Sequence, residues 1–218
     1  LKSDKKIKVK VSCGKPQRNS IVKKRNTWTF TVAHGDVGKC STDADARNAA
    51  AYVPHMERAE VTGHDRPFPK NKKIRVAAML QVAPSAGARH NSSLFQVHQW
   101  LNGCNCGPPV LMSFDKNARL RARILRERHK HNAFPIKGWT RKSFENRWVE
   151  IAVDITNVAG KSDVEIFIGG KSVLKQKALI FQKDDLYFKA GIYREGSAKR
   201  TLPTERVYMK NPTYAILK

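Results

Sequence analysis

Three short stretches carry side chains that could act together on a weakly acidic C–H bond: Glu57-Arg58-Ala59-Glu60-Val61, Gln96-Val97-His98 and Tyr187-Phe188-Lys189-Ala190-Gly191-Ile192-Tyr193. Each reads as a strand, and on a strand every second side chain shares a face, so Arg58 projects with Glu60, Gln96 with His98, and Lys189 with Tyr193. Side by side on one sheet they supply a cation, an amide, an imidazole and a phenol. A proton on the carbon beside a carboxylate is hard to remove while that carboxylate keeps its charge. The planar fork of Arg58 and the amide of Gln96 suit neutralisation of that charge. Imidazole titrates near neutral pH, which makes His98 the candidate base, whereas a phenol near pH 10 needs a cation beside it to ionise. Tyr193 is then the candidate acid. Lys189 could lower the phenol's pKa or bind substrate, and Glu60 could hold Arg58 or Lys189 by a paired charge. Gly191, lacking a side chain, would leave room for a substrate ring. Each group alone has an ordinary explanation as a cross-strand ion pair, a strand aromatic or a solvated histidine. Three fitting segments together favour the chemical one.

In this order the segments resemble the motifs of the jelly-roll polysaccharide lyases: the family seven alginate lyases and the related heparin-lyase-I-like and glucuronan-lyase-like proteins. Those motifs usually read Arg-Ser/Thr-Glu-Leu-Arg, Gln-Ile/Val-His and Tyr-Phe-Lys-Ala-Gly-x-Tyr. The second and third match in full, while the first departs at Ala59 and at Thr62, where a second arginine is common. Phe30-Thr31-Val32-Ala33-His34-Gly35-Asp36 is similar to the heparin-lyase-like branch, and Arg194 stands where the alginate branch often has an amide, pointing to a different subsite. The resemblance implies an endo-acting lyase that cleaves a uronate-containing polysaccharide by β-elimination, leaving unsaturated oligosaccharides. It maps the arginine, glutamine, histidine and second tyrosine onto Arg58, Gln96, His98 and Tyr193. Tyr187, Lys189, Glu60 and Arg194 are then expected to contact substrate, and Tyr193 could also serve as base for one sugar epimer. A noncatalytic lectin for acidic glycans is the competing expectation; it would need no proton donor and acceptor.

The elements that must position these groups are strands. Alternation of period two recurs at Lys6–Val11, Trp28–Val32, Lys73–Val76, Arg119–Ile124, Trp148–Val153, Val164–Ile168 and Arg206–Met209. Turn chemistry separates them, as at Asp115-Lys116-Asn117, Asn102-Gly103, Gly107-Pro108-Pro109 and Gly169-Gly170. This pattern predicts an all-β antiparallel sandwich, a jelly roll with a concave substrate groove and few short helices. Short helices are expected only at Thr42–Ala51 and Leu125–Lys130. A single domain over residues 1–218 is expected, because this length buries one sizeable core. Trp148 is expected in that core.

Lys and Arg number 42 against 18 Asp and Glu, a formal net charge of +24 that calls for a polyanionic partner. An acidic polysaccharide fits; nucleic acid is disfavoured, because no helix-turn-helix, zinc-finger or RNA-recognition motif is present. The alternation at Arg119–Ile124 places Arg121 and Arg123 on one face, where they could track such a polymer. No run of about 18 apolar residues exists to span a bilayer. A secreted or periplasmic monomer is expected. Cys13, Cys40, Cys104 and Cys106 allow three disulfide pairings, with Cys13–Cys40 preferred. The chemistry requires no cofactor and no metal; a structural calcium is left open, with Asp36, Asp43 and Asp45 too loosely arranged to define its site.

Overall fold

The computed structural model describes residues 5–13, 20–36, 56–63, 65, 67–85, 90–100, 107–127, 130–180, 185–195 and 201–218. Among them run fifteen strands: β1 (Lys5–Lys6), β2 (Lys10–Val11), β3 (Ile21–Lys24), β4 (Thr27–Val32), β5 (Met56–Thr62), β6 (Lys73–Val82), β7 (Ser92–Trp100), β8 (Val110–Phe114), β9 (Arg119–Glu127), β10 (Lys130–Thr140), β11 (Val149–Thr156), β12 (Gly160–Ile168), β13 (Lys171–Ile180), β14 (Asp185–Glu195) and β15 (Glu205–Ile216). One 3-10 turn, Arg141–Phe144, follows β10. Two antiparallel sheets result. The first runs β13-β12-β11-β6-β15-β4-β3, with β1 paired to β15; the second runs β10-β9-β8-β7-β14-β5-β2. This is the expected all-β sandwich of jelly-roll type.

The core lies between the sheets. β6 shows the logic: Ile74, Val76, Ala78, Leu80 and Val82 point inward and are buried, while the residues between them are partly exposed. The second sheet contributes Ala59, Val61, Phe95, Val97, Leu120, Ala122, Ile124, Phe188, Ala190 and Ile192 to the same cluster. Turns follow the residues that permit them. Gly169 and Gly170 both take positive φ, 56° and 79°, as a two-residue hairpin between β12 and β13 requires. At the β8–β9 hairpin, Asp115 accepts hydrogen bonds from the backbone N–H groups of Asn117 and Arg119.

Several expectations are corrected. The alternating segment Lys6–Val11 is two strands rather than one: Lys5–Lys6 pairs with β15 in the first sheet and Lys10–Val11 with β5 in the second, so the chain crosses between layers after Ile7, whose N–H still donates to the Pro212 carbonyl of β15. Leu125 to Glu127 extend β9 instead of starting a helix, because Leu125 is buried and pairs with His131 across the hairpin. Trp148 is only half-buried, just ahead of β11, with the Lys210 ammonium 4.2 Å from its ring centre. The helix expected at Thr42–Ala51 and the cysteines at 40, 104 and 106 lie outside the described residues. Cys13 is disulfide-bonded.

Candidate functional site

β14 lies between β5 and β7, which makes the three chemically suggestive segments adjacent strands. Register does the rest. Tyr193 pairs with Arg58 and Gly191 with Glu60 on one side; Lys189 pairs with Gln96 and Tyr187 with His98 on the other. Residues directly opposite on paired strands share a face. Arg58, Glu60, Gln96, His98, Tyr187, Lys189 and Tyr193 therefore stand together on the face turned away from the core. Arg58, Glu60, Gln96, Tyr187 and Lys189 are buried among one another and their surroundings, while His98 and Tyr193 are half-buried and reach solvent.

Glu60 is the hub. Gln96 Nε2 donates to its Oε1 at 2.6 Å, and Lys189 Nζ and an Arg58 guanidinium nitrogen stand 3.0 and 3.3 Å from its Oε2. An ionised carboxylate only accepts, so the Gln96 amide must turn its nitrogen to Glu60, leaving one more N–H for a ligand. Two cations and one anion give this cluster a formal charge of +1. The Arg58 guanidinium also lies 4.1 Å from the centre of the Tyr193 ring, a cation against the face of the phenol.

His98 is oriented from two sides. Its Nδ1 lies 2.7 Å from the Gln99 carbonyl oxygen, and since a carbonyl cannot donate, Nδ1 carries the hydrogen. In the neutral ring Nε2 is then left with a lone pair, the form a base requires. Tyr187 stacks on the imidazole with ring centres 5.0 Å apart and planes 28° apart. Burial, aided by the Glu60 charge and opposed by Arg58, raises the Tyr187 phenol well above its ordinary value, so it stays neutral and supports the ring.

Gly191 acts differently from the open-space expectation. Its φ is +140°, and a Cβ there would lie 2.2 Å from the Ala59 carbonyl oxygen and 2.7 Å from Glu60 Cα. The absent side chain lets β14 approach β5. It falls in a bulge, since Ala190 pairs with Phe95 and Tyr193 with Ser93 on β7.

Arg194 is the clear departure among the expected substrate contacts. It follows Tyr193, so it points to the core side, where its side chain is fully buried and its Nε donates to Glu57 Oε2 at 2.6 Å. Nearby, Glu205 takes Arg141 on one oxygen and His90 at 2.9 Å on the other. Burial alone would push the Glu205 carboxyl up, but the His90 hydrogen bond and the Arg141 charge outweigh it and bring its pKa down to about 2. These groups tie the two sheets directly behind Arg58 and Tyr193. Sequence reasoning missed them, although a signal was present: period two puts both Glu57 and Arg194 on the apolar face, where each needs a partner of opposite charge. Asp36 is buried and accepts from the Ala33 N–H. Among the described residues no group of three or more His, Cys, Asp or Glu is placed to hold a metal ion.

Arg121 and Arg123 lie on the same face as the cluster. Gln96 pairs with Leu111 and Leu111 with Arg123, while Ser93 pairs with Ser113 and Ser113 with Arg121.

Two sheets of this topology make a jelly-roll sandwich, and comparison with known proteins gives its class. The family profile described as polysaccharide lyase matches residues 14–211, and the chain belongs to that family. Its fold is similar to an alginate lyase from Pseudomonas aeruginosa, at 14% identity and TM-score 0.63, covering 92% of this chain and 87% of that one. It is also similar to the marine family seven alginate lyase AlyA1 from Zobellia galactanivorans, at 16% identity and TM-score 0.59, covering 92% and 82%. A third family seven alginate lyase, AlgAT5, aligns at 10% identity and TM-score 0.61 over 93% and 84%. No protein of curated function matches by sequence.

Proposed function

We propose that this polysaccharide lyase acts within the chain of a uronate polymer and breaks the glycosidic bond by β-elimination. The observation that carries the reading is the pairing of a net positive Arg58–Glu60–Lys189 cluster with a His98 ring whose Nδ1 faces the Gln99 carbonyl, so that Nε2 is the basic nitrogen of the neutral ring. The substrate carboxylate binds the Arg58 guanidinium and the remaining Gln96 N–H. Both stabilise the negative charge that flows onto that carboxylate as the adjacent C–H bond breaks. His98 Nε2 takes the proton. Electrons of the C–H bond form the ring double bond, the C–O bond to the leaving sugar breaks, and the Tyr193 hydroxyl supplies a proton to the departing oxygen. Arg58 against the Tyr193 ring stabilises the phenolate that results, which is reprotonated from solvent.

No redox cofactor enters this chemistry. The excess positive charge of the chain raises the local concentration of polyanion, so turnover falls as salt rises. We further propose action outside the cytoplasm, as a monomer of one catalytic domain.

The test is a panel of alginate, glucuronan and heparin-type glycans, followed by ultraviolet absorbance of the unsaturated product. His98→Ala and Tyr193→Phe should each abolish the signal while binding persists and circular dichroism stays unchanged. Near-full activity in both variants refutes the assignment.

A further inference from the structure

A second anionic subsite is built into the same sheet face, and this inference rests on the uronate reading above. Between β14 and β9 lie only two strands, β7 and β8, and their outward residues in this stretch are Ser93 and Gln96 on β7 and Ser113 and Leu111 on β8, all buried. These short or neutral side chains form a floor. Beyond them stand Arg121 and Arg123, in line with Tyr193 and Gln96 respectively.

Arg121 is not a free surface cation. Its Nε lies 2.7 Å from Asp115 Oδ2, and that carboxylate is itself fixed by the backbone N–H groups of Asn117 and Arg119 at 2.8 and 3.0 Å. The Asp115 carboxyl stays below its usual range because those hydrogen bonds and the Arg121 charge outweigh its burial. Arg123 is exposed and, among the described residues, meets no carboxylate. Arg119, Arg121 and Arg123 against Asp115 leave a formal charge of +2 at this end of the face.

From Tyr193 on β14 to Arg121 on β9 is three inter-strand steps of about 4.8 Å, roughly 14 Å, and from Gln96 on β7 to Arg123 is two, roughly 10 Å; a pyranose repeat of about 5 Å is close to one such step. We infer that Arg121 and Arg123 bind the carboxylate of a sugar about two to three repeats from the bond being cleaved, so that the polymer lies across the strands from β14 toward β9. The protein then prefers long uronate chains over short ones by direct contact, not by bulk charge alone.

Binding of alginate and of an alginate disaccharide, measured by calorimetry in a Tyr193→Phe background so that neither is consumed, tests this. A disaccharide held at the cleavage cluster extends about 5 Å past the bond and falls short of β9. Partly exposed arginine–carboxylate pairs contribute up to about five-fold each, so Arg121→Ala with Arg123→Ala should weaken polymer binding roughly 10- to 25-fold and leave the disaccharide unchanged. Equal weakening of both ligands, or no weakening of the polymer, overturns the subsite. Failure of the lyase reading looks different: the unsubstituted protein then yields no unsaturated product, while the length-dependent loss of binding persists.

Discussion

Glu60→Gln separates positioning from charge at the Arg58–Glu60–Lys189 cluster and so tests the proposed catalytic role of this face. The substitution keeps the shape of the side chain but removes the anion that faces Gln96 Nε2 at 2.6 Å, Lys189 Nζ at 3.0 Å and Arg58 at 3.3 Å. A neutral amide has one acceptor oxygen and must turn its NH2 toward one of these donors, so at least one contact is lost. The formal charge of the cluster rises from +1 to +2. Attraction for a substrate carboxylate is thereby maintained or strengthened, and KM should not increase. The cost falls on kcat, because Gln96 and Arg58 no longer hold fixed places; misplacement by about 1 Å can cost roughly 100-fold. We expect kcat to drop by about 10- to 100-fold, equivalent to about 1.4–2.7 kcal/mol in the barrier. Removing the carboxylate that faces two buried cations also destabilises the fold, by up to about 3–5 kcal/mol. Kinetics therefore belong at a temperature well below the variant's melting transition. The assay is the initial rate of unsaturated-product absorbance across a substrate titration. An unchanged kcat in a folded variant would show that Glu60 positions nothing.

Two further outcomes follow from the backbone and the core. Gly191→Ala places a Cβ 2.2 Å from the Ala59 carbonyl at a φ of +140°, and neither backbone can yield cheaply. The expected loss is about 3 kcal/mol or more, seen as a fall of about 6–12 °C in Tm; a melting curve within 2 °C of the parent, by approximate scaling, would contradict the close approach of β5 and β14. Glu205, with its pKa lowered from the ordinary 4.5 to about 2, stabilises the folded state fully above pH 4.5. That contribution, roughly 3 kcal/mol, is lost as pH falls from about 5 toward 2, because the unfolded chain takes up the proton first. Chemical denaturation across this window should show a smaller acid loss in Glu205→Gln than in the parent.

The strands and the site were legible in the sequence for one shared reason: alternation. A period of two marks where a strand lies and also which side chains stand together, so Arg58, Gln96, His98, Lys189 and Tyr193 could be grouped before their partners were known. Alternation at a chemical motif also has a second face, and that face was left unread. Glu57 and Arg194 sit one residue from Arg58 and Tyr193 respectively and point inward, where they pair. Other features were hidden because they depend on partners distant in sequence. The close approach that requires Gly191 belongs to β5. The tautomer of His98 depends on a carbonyl whose aim is set by the local backbone. The break in Lys6–Val11 comes from competition between two sheets, which no local pattern reveals.

That break has a consequence for the working face. Residues 5 to 12 stitch the layers together at the rim: β1 is held by β15 of one sheet, while Val11 pairs with Val61 and the Ser12 N–H donates to the Glu60 carbonyl at 2.8 Å. The next residue, Cys13, is covalently tied to another part of the chain. The strand that presents Arg58 and Glu60 is thus hemmed along its open border, closed to a foreign strand seeking main-chain partners. Reducing agents would reach the charged cluster through this hem, by loosening a border of backbone bonds while every side chain of the cluster stays chemically untouched.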